Sequence, residues 1–400
     1  MPQSKPFLAR LFVLLLGAIA CGGSSDTAAP PPPPPPAPVP TTATVAAGNS
    51  QKGFVKSPLP INPAVAVHDQ RGNPMAGVAV VFAVTQGSGT VSSGTPTTDA
   101  SGLASTVWTM GSSVGTNRLT ATAQNLPQLA FEANADSPYN IELVYAPDVS
   151  LVERNALDVA IAHWRRAITT DIGRVQFTSA GGCGGFSIPA GEIISGLRVY
   201  VKDSAITDTK VLAQTGLCAE NSVSKVPVVA LLVWNSAQVA YTQGNGLTEI
   251  VATHELGHAI GFGTLWRERI LLAGDGTSDP YFLGSQARST FGSSFGSGYS
   301  GNAVPVENTG LAATQGSHWR ETVFSRELMT GFVNLGTPNP MSAVTIAQFA
   351  DLGYAVDMSQ AEIFTGGFFA PDASAAVATR VDLGDDVARQ PIRSVAPLRR

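Results

Sequence analysis

A helix is the one local structure that lets the two histidines of His254-Glu-Leu-Gly-His258-Ala-Ile-Gly261 act together, and that requirement constrains the chain more than any other feature. Residues four apart share a helical face with about 5–6 Å between their β-carbons, so imidazoles 254 and 258 can hold a single metal ion. Glu255 lies one residue on and points to the flank of that pair. A carboxylate there can take a proton from metal-activated water without becoming a ligand. The spacing predicts a helix from about Leu247 to Ile260, with Ile250 and Val251 on the same stripe, and Gly261 as the residue that ends it.

The N-terminus is of another kind. Lys5 and Arg10 precede the apolar run Leu11–Leu16, and Gly17-Ala-Ile-Ala-Cys21 follows, which reads residues 1–20 as an export signal. The cysteine followed by Gly-Gly-Ser-Ser resembles a bacterial lipoprotein signal, in which Cys21 becomes the lipidated first residue. Ala18 stands where such signals usually carry Leu, and an ordinary secretory signal is the competing reading. Residues 21–40 include seven consecutive prolines from Pro30, a stiff, extended composition that forms a tether and no core. Beyond residue 21 no run approaches the roughly 20 apolar residues of a membrane helix, so the expected membrane contact is through Cys21 alone. The expected location is the cell envelope, at the outer membrane or cell surface, with secretion as the alternative.

The formal charge is −5, and loss of the two cations of the signal leaves −7. A mildly acidic chain argues against nucleic acid as a partner. With Cys21 assigned to the anchor, Cys183 and Cys218 are a plausible disulfide in an exported protein, closing a loop of about 36 residues that is worth about 4 kcal/mol on a chain-entropy argument. A thiolate from Cys183 capping the metal in a latent form would require an odd thiol, and this count is even.

Residues 41–137 carry short period-two runs, Ala64–Val67, Val78–Val84 and Leu129–Ala133, separated by Gly, Asn, Pro and Asp turns. That pattern predicts an all-β sandwich. The wording of Asp69-Gln-Arg-Gly-Asn-Pro-Met-Ala-Gly-Val78, Thr98–Ala104 and Gly115–Ala121 resembles the bacterial immunoglobulin-like domains of the invasin and intimin type, common spacers in surface proteins. From residue 138 to 371 the pattern turns α+β. Ser150-Leu-Val-Glu153 is a capping box ahead of Leu157, Ile161, Trp164 and Ile168 at helical spacing. Apolar strands are expected at 197–201 and 226–234, and a short helix at 344–353. Residues 274–316 read as an insertion at the rim of a cleft, and residues 372–400 as a flexible tail.

A catalytic zinc takes three protein ligands and keeps one position for water. In the metzincin pattern the third is a histidine six residues after the second, but here Thr264 stands there, and a hydroxyl is a poor ligand beside imidazole. Of the other histidines, His68 falls in the predicted sandwich and His163 beside Trp164 on the amphipathic helix, where structural roles are expected. His318 remains, in Gly316-Ser-His-Trp-Arg-Glu321, followed by Arg326-Glu-Leu-Met329. In this arrangement the chain resembles leishmanolysin, a metzincin family in which a long insertion separates the glycine from the third histidine and a Glu-Leu-Met forms the methionine turn beneath the metal. Here 56 residues separate Gly261 from His318. Glu268 is an alternative third ligand, and Met341 a competitor of Met329 for the turn. Trp266 and Trp319 are expected to pack.

The resemblance implies a zinc endopeptidase with one Zn2+ held by His254, His258 and His318, Glu255 as general base, and a protein or peptide substrate paired along a strand such as 226–234. The residues leave structural calcium undecided. They name no group that stabilises the transition state beyond the downstream hydroxyl of Tyr354. A reading from another class is a surface-anchored adhesin whose peptidase-like domain no longer cuts; retention of Glu255 speaks against it, since binding needs no general base.

Overall fold

The computed structural model describes residues 34–295, 303–311, 314–364 and 380–398. Residues 1–39 form one unit and residues 40–400 another. The signal, Cys21 and most of the tether lie outside the described residues, and residues 34–39 are in neither helix nor strand. Among the described residues no helix is long and apolar enough to cross a membrane.

The first part of the second unit is all β. One sheet joins Gln51–Phe54, Leu129–Asp136, Gly115–Ala123 and Val80–Gln86, and another joins Pro40–Ala47, Ala64–Asp69 and Leu103–Ser105. Alternation along these strands sends Val65, Val67, Val80, Phe82, Leu119 and Phe131 into one core with Trp108, while the intervening residues face water. The turn after Ala64–Asp69 is held by the Asp69 carboxylate, which accepts from the backbone N–H groups of Arg71 and Asn73.

From Tyr139 onward a second core forms around a six-stranded sheet. Ile141–Tyr145, Leu197–Ser204 and Pro227–Asn235 run parallel, and Ala213–Asn221 lies antiparallel beside Pro227–Asn235. The helix Leu151–Ala167 starts at its capping box, Ser150 Oγ accepting from Glu153 N at 3.4 Å and Glu153 Oε2 accepting from Ser150 N at 2.8 Å. Its buried Leu157, Ala160 and Trp164 pack against the motif helix Thr248–Ile260, and Trp164 Nε1 donates to the Thr253 carbonyl at 2.8 Å. The motif helix is buried from Val251 to Ile260 on every side, because sheet, first helix and the later chain enclose it. It is therefore buried all round, its polar Thr253, His254, Glu255 and His258 included, without the single buried stripe its spacing predicts.

Two sequence expectations are corrected, the cleft strand and the flexible tail. The strand expected to line the cleft, now Pro227–Asn235, is interior, with hydrogen-bonded neighbours on both edges, and the strand beyond it is Ala213–Asn221. A guest strand needs a free backbone edge, and both edges of this strand are already paired, so it offers a substrate none. The stretch 274–316 carries the helix Ser285–Phe295 and, with Leu272–Ala273, the short strands Tyr281–Phe282 and Val304–Pro305. It adds Phe282 and Phe291 to an aromatic cluster with Phe262, Trp266, Trp319 and Phe324. Finally, residues 380–398 of the expected flexible tail form the strands Arg380–Asp382, Val387–Ala388 and Arg393–Val395, the last two beside Ala213–Asn221.

The capping box has a measurable consequence. Ser150→Ala is expected to lower stability by about 1 kcal/mol while leaving metal content unchanged. Urea titration followed by circular dichroism measures it, and an unshifted midpoint contradicts it.

Candidate metal centre

The motif helix sets His254 and His258 one turn apart, and Gly261, at φ 127°, caps it. Beyond the cap the chain makes a close approach: a β-carbon at Gly263 would sit 2.0 Å from the Ser317 carbonyl oxygen. His318, the next residue, arrives beside the helix, and its neighbour Trp319 is sunk in the aromatic cluster. The Nε2 atoms of the three histidines converge, 2.9 Å apart for 254–258, 3.0 Å for 258–318 and 3.2 Å for 254–318.

The opposite ring nitrogens explain what kind of site this is. His254 Nδ1 lies 2.7 Å from the Leu328 carbonyl, His258 Nδ1 2.8 Å from that of Phe262, and His318 Nδ1 3.1 Å from that of Thr314. A carbonyl only accepts, so each Nδ1 carries a proton, and each ring in its neutral form presents the Nε2 lone pair to a metal. Three lone pairs in contact repel unless a cation lies among them. Zinc with Zn–N bonds of about 2.0–2.1 Å and tetrahedral angles sets its nitrogens about 3.3–3.4 Å apart, so the present triangle fits to within a few tenths of an ångström.

A fourth donor completes the group. Asp386 Oδ2 lies 3.1 Å from the Nε2 atoms of His254 and His318 and 3.9 Å from that of His258. It belongs to the expected tail, 128 residues after His258, with no spacing rule to find it. Glu255 lies outside the donor set: its Oε2 accepts from Thr215 Oγ1 at 2.6 Å, and its Oε1 has no partner among the described residues. All five side chains, His254, Glu255, His258, His318 and Asp386, have 0% exposure.

The charges follow from that burial. Desolvation, reinforced by the Asp386 charge, pushes the Glu255 carboxyl up to about 8 against the pull of His254 and Thr215. Burial holds His258 well below the ordinary imidazole range. Burial also opposes a charge on His318, but Asp386 outweighs it and raises that imidazole, while the histidines hold Asp386 below the usual carboxylate range despite its burial.

Met329 forms the floor. A β-carbon at Gly257, between the two histidines, would stand 2.8 Å from Met329 Sδ and Cε. Glu327, buried beneath, accepts from the N–H groups of Met329 at 2.6 Å and Ser342 at 2.9 Å. Met341 is tied to Glu362 instead, through its own N–H. Thr264 Oγ1 donates to the His258 carbonyl, and Glu268 stands outside the donor group. Tyr354 is buried behind the helix with its hydroxyl on the Ile260 carbonyl at 2.8 Å, so it braces the helix end. His68 lies in the β part, and His163 faces Glu362 at 3.9 Å. Cys183 and Cys218 are bonded, tying a hairpin to the strand Ala213–Asn221.

A histidine triad on and beside a buried helix, with a carboxylate as fourth donor, is a group able to hold one metal ion. The leishmanolysin family profile, peptidase family M8, matches residues 154–391, more than half of the chain, and the protein belongs to that family. No curated protein matches the chain. Among solved structures, domains 4 and 5 of the S-layer protein SbsC are similar at 17% identity and TM-score 0.21, covering 25% of this chain and 53% of that one. The D00-D0 domain of intimin is similar at 22% identity and TM-score 0.18, covering 23% and 46%. The protein thus spans about half the length of these solved chains.

Two outcomes follow from this geometry. His318→Ala is expected to weaken metal retention at least about 100-fold, read by metal analysis after dialysis against a competing chelator; full retention would remove His318 from the site. In the metal-free protein the Glu255 carboxyl binds its proton more tightly folded than unfolded, so it favours the fold below about pH 4.5, and that contribution is lost as pH rises through about 8. Melting at pH 5 and pH 8.5 should show a fall that Glu255→Gln reduces, and an equal fall in that variant contradicts the assignment.

Proposed function

We propose that the protein is a zinc-dependent endopeptidase with Glu255 as general base, acting on extracellular or envelope proteins. The observation that carries this is the pairing of three converging imidazole lone pairs with a buried glutamate that is anchored by one oxygen and open at the other. Zinc held by His254, His258 and His318 would supply the Lewis acidity that acidifies a water and polarises the scissile carbonyl.

The protein's own groups do the rest. Thr215 fixes Glu255 Oε2, which leaves Oε1 to accept the proton of the attacking water and then deliver it to the departing amine. Ala213–Asn221, which carries Thr215, is the strand along which an extended substrate would pair, backbone to backbone. The Nδ1–H bonds to Leu328, Phe262 and Thr314 hold each imidazole in the tautomer the site requires.

The rest of the chain supports an exported, envelope-tethered enzyme. An export signal over 1–20, lipidation at Cys21, a proline-rich tether and an immunoglobulin-like spacer would hold the peptidase away from the surface.

Glu255→Ala, made both in the wild type and in an Asp386→Asn background that frees the fourth metal position, is expected to keep one zinc per chain and lose casein hydrolysis by at least about 100-fold, matching the effect of a chelator on the parent. Hydrolysis undiminished in the variant rules out this mechanism. Binding to a surface partner that survives metal removal, without any cleavage, favours the adhesin.

A further inference from the structure

The segment Arg380–Leu398 occupies the place a substrate would need. It enters through Arg380–Asp382, paired with Phe332–Asn334 just after the methionine turn, where Arg380 meets Glu321 at 3.1 Å and stacks over the Phe332 ring. Leu383 is buried and donates its N–H to the Gly331 carbonyl at 3.1 Å. Thr314 Oγ1 then binds the Gly384 carbonyl, and Gln214 Nε2 that of Asp385, both at 2.6 Å. At the metal centre the Thr215 N–H donates to the Asp386 carbonyl at 2.7 Å. From there the chain runs parallel to Ala213–Asn221, with Val387 opposite Thr215, Ala388 opposite Gly216, and Arg393–Val395 opposite Ala219–Asn221.

Two resources that a peptide substrate requires are taken together. One is the backbone edge of Ala213–Asn221. The other is the fourth position beside the histidines, held by Asp386 Oδ2. An open catalytic zinc site keeps that position for water, whereas a four-donor protein site is closed. With the segment in place His254, Glu255, His258 and His318 all have 0% exposure, and no polypeptide can reach groups that water does not touch. The segment also resists being cut, since what it offers the metal is a carboxylate oxygen and no scissile carbonyl.

We infer that Arg380–Leu398 is a built-in C-terminal inhibitor of this enzyme, with Asp386 as a displaceable fourth metal ligand that keeps the centre latent until the segment is withdrawn. The inference rests on the peptidase reading for its biological meaning, but its physical content is access to the metal. No bond is made or broken in the switch: one carboxylate oxygen leaves the metal, one strand leaves the edge, and a water and a substrate strand take their places.

The test uses the full-length chain, loaded with zinc or cobalt, as wild type and as Asp386→Asn and Asp386→Ala. In the wild type, a peptidyl hydroxamate is expected to leave the cobalt absorption bands unchanged at concentrations that saturate the variants. By calorimetry on the zinc forms, the variants should bind it at least 10-fold more tightly at equal metal content, and casein hydrolysis should rise at least 10-fold. A synthetic peptide of residues 380–398, added to Asp386→Asn, should restore latency, while the same peptide with Asn for Asp386 should not. Wild-type cobalt bands that shift with hydroxamate as readily as those of the variants overturn the inference, and this arm needs no variant activity. Hydroxamate binding gained by the variants without casein cleavage upholds the latch and counts against the peptidase reading. Equal cleavage and equal hydroxamate affinity in all three proteins overturn the latch and leave the peptidase reading standing.

Discussion

Three imidazole lone pairs aimed at one point are the constraint around which this protein is organised. Left alone they repel, so the fold must force them together and a cation must reward the arrangement. The forcing is done by backbone carbonyls from three separate places, Phe262 at the helix end, Thr314 ahead of His318 and Leu328 at the methionine turn. Each receives an Nδ1–H and thereby orients the opposite nitrogen. The methionine turn is therefore part of the coordination machinery as well as a floor: Leu328 aligns His254, while Met329 fills the space that the missing side chain of Gly257 leaves open.

Holding those carbonyls still requires a rigid surround. Glu327, buried and accepting from Met329 and Ser342, staples the turn to the helix Ala343–Asp351. The aromatic cluster of Phe262, Trp266, Phe282, Trp319 and Phe324 locks the end of the motif helix to the residue beside His318. Buried aromatic pairs add to their area term through edge-on and offset contacts, so such a cluster is a stiff joint as well as an apolar one. The insertion between Gly261 and His318 contributes Phe282 and Phe291, and so helps to build the wall that returns the third histidine.

Burial of charge is the other theme. Glu255 and Asp386 sit at 0% exposure in one pocket, each with an oxygen lacking a partner among the described residues. Two carboxylates desolvated together are costly unless cationic charge is near, and here it comes from protonated imidazole or from a metal. The two are pushed in opposite directions, Glu255 up by burial and by Asp386, Asp386 down by the histidines. That divergence fits the roles proposed for them, proton carrier in one case and ligand in the other.

Much of this was legible from local chemistry. The histidines four apart, the adjacent glutamate, Gly261 as helix end, the capping box at Ser150 and the period-two strands all follow from rules that act within a few residues, and those features stand where the sequence puts them. His318 and Met329 were reachable through a resemblance, because their spacing is a family habit and not a local rule. Asp386, Thr215 and the strand that carries Thr215 were not reachable in either way. Whether a strand is interior or at an edge depends on which others pair with it, and whether a polar tail lies loose or threads a cleft depends on partners scores of residues away. The chain's own order thus determined that a metal-binding helix would form and which residues it would present. Only the tertiary structure decided what completes the cage and what covers it, since a ligand brought in by long-range packing leaves no periodic trace in the sequence.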